Sequence, residues 1–266
     1  MKRIDETFAR LRREGRKGLI TFITAGDPDL AATPELVAAL EAGGADLIEL
    51  GVPFSDPLAD GPTIQLASNR ALAAGTTLVK ILKTVAKIRE TSEIPLVLMS
   101  YYNPLYRYGL ERLVDDAVVA GVDGFIVPDL PYEEAAGLRK IAAGKLAVIP
   151  LAAPTTPSDR LVKIVAAGSG FLYYVSVTGI TGARSELPDD LAAALERVGE
   201  KTAGRLPLAV GFGISTPEQA KTVAARADAV IVGSALVRIV AEHGASKKGL
   251  AELQHKVAAL RTGLDE

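Results

Sequence analysis

The sequence predicts an α/β fold, a single (β/α)8 TIM barrel over residues 1–266 with an N-terminal lid helix, on the strength of three observations. Eight short apolar runs are continuous rather than alternating, which marks strands covered on both faces. They begin roughly 30 residues apart, the length of one βα unit. The gaps carry helical periodicity, and neither a linker nor a low-complexity tract interrupts the series. Eight such units favour a closed ring over an open doubly wound sheet, which the pattern alone leaves as the alternative.

In chain order, Ile4, Phe8 and Leu11 come first at helical spacing, with Arg12, Arg13, Arg16 and Lys17 around and after them, a lid helix with a solvated basic face. The strands follow at residues 19–24, 47–51, 96–100, 124–127, 147–151, 171–175, 208–211 and 229–233. Between the second and third, Leu78, Ile81, Leu82, Val85 and Ile88 form one apolar helical face. Thr33-Pro34, Thr156-Pro157 and Thr216-Pro217 each offer an N-cap with proline at the first helical position, and Gln219 completes a capping box. Residues 41–46, 119–123 and 166–170 share a glycine-bearing corner that leads from a helix straight into a strand.

Composition narrows the function. Lys and Arg number 30 against 32 Asp and Glu, so bulk charge gives no case for nucleic acid or an anionic membrane, and a small ligand is expected. The absence of Cys removes disulfides, thiolate metal sites and cysteine nucleophiles. Met1-Lys2-Arg3 is followed by Asp5 and Glu6 rather than an apolar run, and no apolar stretch approaches the ~20 residues of a membrane span, so a cytoplasmic protein is expected.

In a barrel, residues at strand C-terminal ends and in the loops that follow form the active face. Glu49, in Leu47-Ile48-Glu49-Leu50, stands where a buried strand would take Val or Ile, and burying a lone carboxylate raises its pKa. Asp60 lies on the Gly/Pro-rich loop after the same strand and can face Glu49 across a bound molecule, dividing acid and base work. Late in the chain, Gly211-Phe-Gly213-Ile-Ser, Gly233-Ser234 and the glycines of residues 178–183 follow strands six to eight, where barrels cradle phosphate on backbone N–H groups and a helix N-terminus. Phe22, Ile64, Tyr101, Ile126, Tyr173, Phe212 and Val232 are the candidate apolar walls, suited to a flat ring. No Lys lies at a strand end to form a Schiff base, and His243 and His255 fall in the C-terminal helical segment, which argues against catalytic zinc. A Mg²⁺ site from Asp27, Asp56, Asp60 and Asp129 is the disfavoured alternative, and neither metal nor cofactor is expected.

The stretch from Leu47 through Glu49, Asp56 and Asp60 to Pro62 closely resembles the tryptophan synthase alpha subunit family. Phe22-Ile-Thr-Ala-Gly-Asp27-Pro, Val127-Pro-Asp129, Thr178-Gly-Ile-Thr-Gly182, Gly211-Phe-Gly-Ile-Ser and Val232-Gly-Ser234 extend the resemblance over the whole chain. It implies cofactor-free retro-aldol cleavage of indole-3-glycerol phosphate to indole and glyceraldehyde 3-phosphate. By that resemblance Glu49 is the general acid/base and Asp60 pairs with the indole N–H. Gly182, Gly211, Gly213, Gly233 and Ser234 hold the phosphate, while Phe22, Tyr173 and Thr181 line the pocket, with Thr181 on a closing loop. The resemblance further implies a beta subunit, in an alpha2-beta2 assembly, that receives indole through a tunnel and is met by the loop at Asp56 and Pro57. A free-standing lyase with the same residues, and a regulatory subunit without chemistry, are the alternatives.

Overall fold

In the computed structural model, residues 2–175, 191–202, 204–211 and 213–266 are described. Among the described residues nine parallel strands carry the fold: β1 Gly18–Thr24, β2 Leu47–Gly51, β3 Leu96–Met99, β4 Gly124–Ile126, β5 Ala147–Ile149, β6 Leu151–Ala152, β7 Leu172–Val175, β8 Leu208–Gly211 and β9 Ala229–Val232. Their order is β5-β4-β3-β2-β1-β9-β8-β7-β6, so the two edge strands are neighbours in sequence. They are halves of the fifth expected strand, split at Pro150, which has no N–H to give a ladder. The Pro150 carbonyl still accepts from the Tyr173 N–H at 2.9 Å, and the continuous chain closes the ring, as a (β/α)8 barrel requires.

The helices are α1 Lys2–Glu14, α2 Thr33–Ala42, α3 Pro62–Ala73, α4 Leu78–Ile88, α5 Tyr102–Tyr108, α6 Leu110–Ala120, α7 Ala136–Ala142, α8 Ser158–Ala167, α9 Leu191–Thr202, α10 Pro217–Ala224, α11 Ser234–His243 and α12 Lys247–Asp265. Two apolar layers result from strand alternation. Ile23, Ile48, Leu50, Leu98, Phe125, Val210 and Val230 pack outward against helices. Ile20, Leu47, Val97, Ile126, Ile149, Tyr173 and Ile231 fill the barrel interior.

The lid helix α1 closes the floor of the barrel, at the N-terminal ends of the strands. Ile4, Phe8 and Leu11 are buried on its inner face. Phe8 meets Phe171 at the start of β7 with ring centroids 5.8 Å apart. Gly18, opening β1, leaves room for Leu11, whose Cδ1 would lie 3.3 Å from a Cβ there. Arg3 to Asp123 at 3.2 Å and Arg10 to Asp46 at 3.0 Å tie the helix down.

Two of the three expected helix-to-strand corners end in an aspartate that holds a strand, as Asp228 also does, while the third, 166–170, uses Ser169, whose hydroxyl accepts from the Val148 N–H at 2.9 Å. Asp46 accepts from the Leu19 N–H at 3.0 Å, Asp123 from Leu96 at 2.9 Å, and Asp228 from Leu208 at 2.7 Å. Each carboxylate thus anchors the first residues of the neighbouring strand.

Of the three expected threonine caps only Thr216 caps its helix, in a full capping box with Gln219. Thr33 falls inside α2 and its hydroxyl accepts from the Gly26 N–H at 3.0 Å. Thr156 precedes the cap position of α8 and accepts from the Ala153 N–H at 3.0 Å. Both hydroxyls found a loop N–H before a helix one. Among the described residues no helix is long and apolar enough to cross a membrane.

Candidate active site

Glu49 points into the barrel because Leu47, two residues earlier on β2, does so, while Ile48 and Leu50 face the helices. Its register partners are Phe22 on β1 and Val97 on β3. The side chain is fully buried, and neither carboxylate oxygen has a hydrogen-bond partner among the described residues. Burial without compensation pushes its pKa up to about 8. At neutral pH this is a carboxylic acid with a proton to give.

Asp60 reaches the same space from the loop that follows β2. Gly61 caps α3 immediately after it and Pro62 starts the helix. The Gln65 amide donates to the Asp60 carbonyl at 2.7 Å, which fixes the backbone there. The Tyr101 phenol accepts from the Ala59 N–H at 2.8 Å and hydrogen-bonds the Asp60 carboxylate. Burial raises the Asp60 pKa, and that bond to Tyr101 lowers it in part. Phe54 backs the Tyr101 ring at 5.4 Å.

Tyr173 on β7 shows that the two carboxylates share one space. Burial pushes its phenol well above the usual range, and the charges of Glu49 and Asp60 push it further. Glycines make room for the rings around them. A Cβ on Gly51 would lie 2.6 Å from the tip of the Phe22 ring, and one on Gly211 would lie 2.9 Å from the Tyr173 oxygen. Phe22 also borders Gly233.

At the opposite side of the mouth, Gly211 ends β8, and Gly213 turns the next loop at φ +83°. Gly233 precedes Ser234, the first residue of α11, so the first-turn backbone N–H groups, which have no acceptor within the helix, and the positive end of that helix meet there. Thr181, Gly182 and Phe212 lie outside the described residues.

Residues 8–264 match the family model for the tryptophan synthase alpha chain. The chain belongs to that family. It is 54% identical to the tryptophan synthase alpha chain of Geotalea daltonii over 265 residues, 99% of each chain. It is similar to the solved structure of tryptophan synthase subunit alpha from Legionella pneumophila at 40% identity and TM-score 0.86, covering 99% of this chain and 98% of that one. It is likewise similar to a chain in the tryptophan synthase complex of Pyrococcus furiosus at 40% identity and TM-score 0.84, covering 92% and 98%.

Against this alpha-chain fold, one expected wall is misplaced. Val232 packs in the outer layer, and its neighbour Ile231 faces the interior instead. Ile126 is fully buried inside the barrel, whereas Ile64 groups with Phe22 at the mouth. Sequence reasoning also passed over Thr24, Ser68 and Met99, which line the open pocket at the mouth with Phe22, Asp60, Ile64 and Tyr101. Strand parity from Phe22 could have found Thr24; nothing local marks Ser68. Of the carboxylates weighed for Mg²⁺, Asp27 is held by Arg70 through two bonds of 2.8 Å, and Asp129 accepts from the Tyr102 N–H at 2.8 Å. No group of three metal-ligating side chains occurs among the described residues. Asp56 and Pro57 sit on the outer part of the loop, where the Ser55 hydroxyl donates to Asp56 and Leu58 is 83% exposed.

Proposed function

We infer that the chain cleaves indole-3-glycerol phosphate to indole and glyceraldehyde 3-phosphate, and the observation that carries this reading is Glu49, fully buried inside the barrel with no hydrogen-bond partner among the described residues, where burial raises its pKa. Breaking a carbon–carbon bond to an aromatic ring requires the ring carbon to become tetrahedral first. Glu49 gives its proton to indole C3, and the positive charge that develops on the ring nitrogen is held by the Asp60 carboxylate against the N–H. The new Glu49 carboxylate then takes the proton of the neighbouring glycerol hydroxyl. As that oxygen becomes an aldehyde carbonyl, the bond to C3 breaks, its electron pair restores the indole, and Glu49 is again protonated. Phe22 and Tyr173 flank the ring, while Gly211, Gly213, Gly233 and Ser234, with Gly182, hold the phosphate through backbone N–H groups and the α11 N-terminus. This chemistry calls on no metal or organic cofactor.

The indole passes to a beta subunit in an alpha2-beta2 assembly. Supporting that part of the reading, the exposed apolar residues Leu58 and Tyr106 lie on the loop after β2 and the helix after β3, both at the active face. Asp56 and Pro57 occupy the same loop.

The test is Glu49→Gln, which keeps shape and removes the proton. Indole release is expected to vanish while the affinity for glycerol 3-phosphate stays within about threefold. Comparable loss of both would overturn the assignment. Indole release by the wild-type chain, measured with and without a beta subunit, tests the partner: turnover unchanged by the beta subunit would overturn it.

A further inference from the structure

The loops that follow β2, β3 and β4 are neighbours on the active face, and two hydrogen bonds tie them together. The Ala59 N–H, on the first loop, donates to the Tyr101 phenol at 2.8 Å. The Tyr102 N–H, at the start of α5, donates to the Asp129 carboxylate at 2.8 Å. Tyr101 is the cap residue of α5 and its side chain makes no cap bond, so Asp129 supplies from the next loop an acceptor that the helix start lacks. The peptide group between Tyr101 and Tyr102 is gripped at its other end too, where the Ser100 hydroxyl donates to the Tyr101 carbonyl at 3.0 Å. A planar peptide pinned at both its N–H and its C=O leaves Tyr101 few directions in which to send its ring. Asp129 suits such a role, because Pro128 and Pro131 stiffen the chain around it and holding its carboxylate still costs little entropy. It is also exposed, so replacing it leaves the core untouched.

We propose that Asp129 is a positioning residue for Asp60 that acts through Tyr101: by holding the Tyr101–Tyr102 peptide it aims the phenol at the Ala59 N–H and the Asp60 carboxylate. The proposal rests on the lyase reading above and adds to it how the carboxylate is kept in place before the ring nitrogen arrives. The phenol bonds both the residue before Asp60 and the Asp60 side chain, so a shift of the ring moves both. A carboxylate placed in advance needs little reorganisation during the reaction, and that advantage appears in kcat. The titratable groups that face Asp60 are Tyr101 after β3, Glu49 on β2 and Tyr173 on β7, whose phenol feels both carboxylates.

The test is a double-mutant cycle on the full chain with Asp129→Ala and Tyr101→Phe. Asp129→Ala alone is expected to lower kcat about fivefold with KM within about threefold, and to move the acidic limb of the pH profile upward, because Asp60 loses a hydrogen bond that favours its ionised form. In the Tyr101→Phe background, where the hydroxyl is already gone, the same substitution is expected to change kcat by less than about twofold and to leave the limb where it is. Asp129→Asn keeps an acceptor oxygen for the Tyr102 N–H and is expected to stay within about twofold of the wild type. Asp129→Ser, too short to reach that amide, takes the place of the alanine variant in the cycle if alanine folds poorly. Titration of carboxyl-¹³C-labelled aspartate by NMR, without substrate and with the Asp60 signal assigned through Asp60→Asn, is expected to show Asp60 titrating higher in Asp129→Ala. Equal losses with and without the Tyr101 hydroxyl overturn the proposal, because Asp129 would then act on the fold or on another group. So do an unchanged kcat and an unchanged Asp60 titration in Asp129→Ala, and so does a raised KM with an unmoved limb. Failure of the wild-type chain to release indole would overturn the lyase reading alone, because the NMR titration still decides whether Asp129 and Asp60 are linked.

Discussion

Glu49 sets two behaviours at the scale of a single residue. Its pKa is about 8 in the folded chain against 4.5 for an ordinary glutamate, so between those values the folded state binds a proton that the unfolded state has released. Stability from this group is therefore greatest at low pH and is lost as pH rises from about 4.5 through 8. Glu49→Gln removes that loss, so the variant should gain on the wild type as pH rises, by on the order of 3 kcal/mol at pH 7. Urea midpoints at pH 5 and pH 8 check this, and a stability difference that ignores pH would refute it. Because the acid form starts the reaction, kcat/KM should fall above roughly pH 8. A profile flat to pH 10 would remove Glu49 as the proton donor. Gly211 illustrates a different constraint. A Cβ there would meet the Tyr173 oxygen at 2.9 Å, so Gly211→Ala must displace that phenol from the site. Turnover is expected to drop by about tenfold to a hundredfold with a small change in stability, read from paired activity and urea measurements.

At the scale of elements, α3 controls where Asp60 sits. It begins directly after Asp60, carries Ile64 and Gln65 on its first turn, and is tied back to the β1 loop by Arg70 gripping Asp27. Asp27 is 2% exposed, so Arg70→Leu would leave a buried carboxylate uncompensated. Because Arg70 is itself partly solvated, the expected cost is about 2 kcal/mol rather than the larger figure for a fully buried pair. Turnover should fall with it as α3 loosens. Wild-type denaturation and rate in that variant would separate the ion pair from the site. The same scale shows where sequence signals stop. The Thr-Pro pairs at positions 33 and 156 carry the composition of helix caps, but a threonine hydroxyl binds whichever N–H lies nearest, and at both sites that donor belongs to a loop.

Across the whole molecule the barrel separates stability from chemistry by its two ends. The α1 helix seals the floor through Ile4, Phe8 and Leu11, while both carboxylates lie towards the mouth. Phe8→Ala should therefore destabilise by about 3 kcal/mol and leave turnover per folded molecule unchanged. Parallel urea titration and active-site-normalised rates test this, and a lost rate at full stability would mean that the floor communicates with the site. The ring also explains the misplaced Val232. Strands covered on both faces are apolar on both faces, so a run such as Ala229-Val-Ile-Val232 carries no alternation to say which side chains turn inward. Glu49 escaped that ambiguity because a carboxylate within such a run stands out on either face.

The succession and spacing of the strands, the helices between them, the glycine-bearing corners and the two acidic residues of the first motif all follow from local composition and periodicity. They are properties of neighbours along the chain, and short-range geometry suffices to produce them. The tertiary structure alone decided that Pro150 splits a strand without opening the ring, that α1 closes the floor, and that Ile231 rather than Val232 faces inward. It also decided that Glu49 has no hydrogen-bond partner among the described residues while Tyr101 holds Asp60. Each of these depends on which side chain stands opposite across the barrel, and closure brings those partners together from positions far apart in sequence.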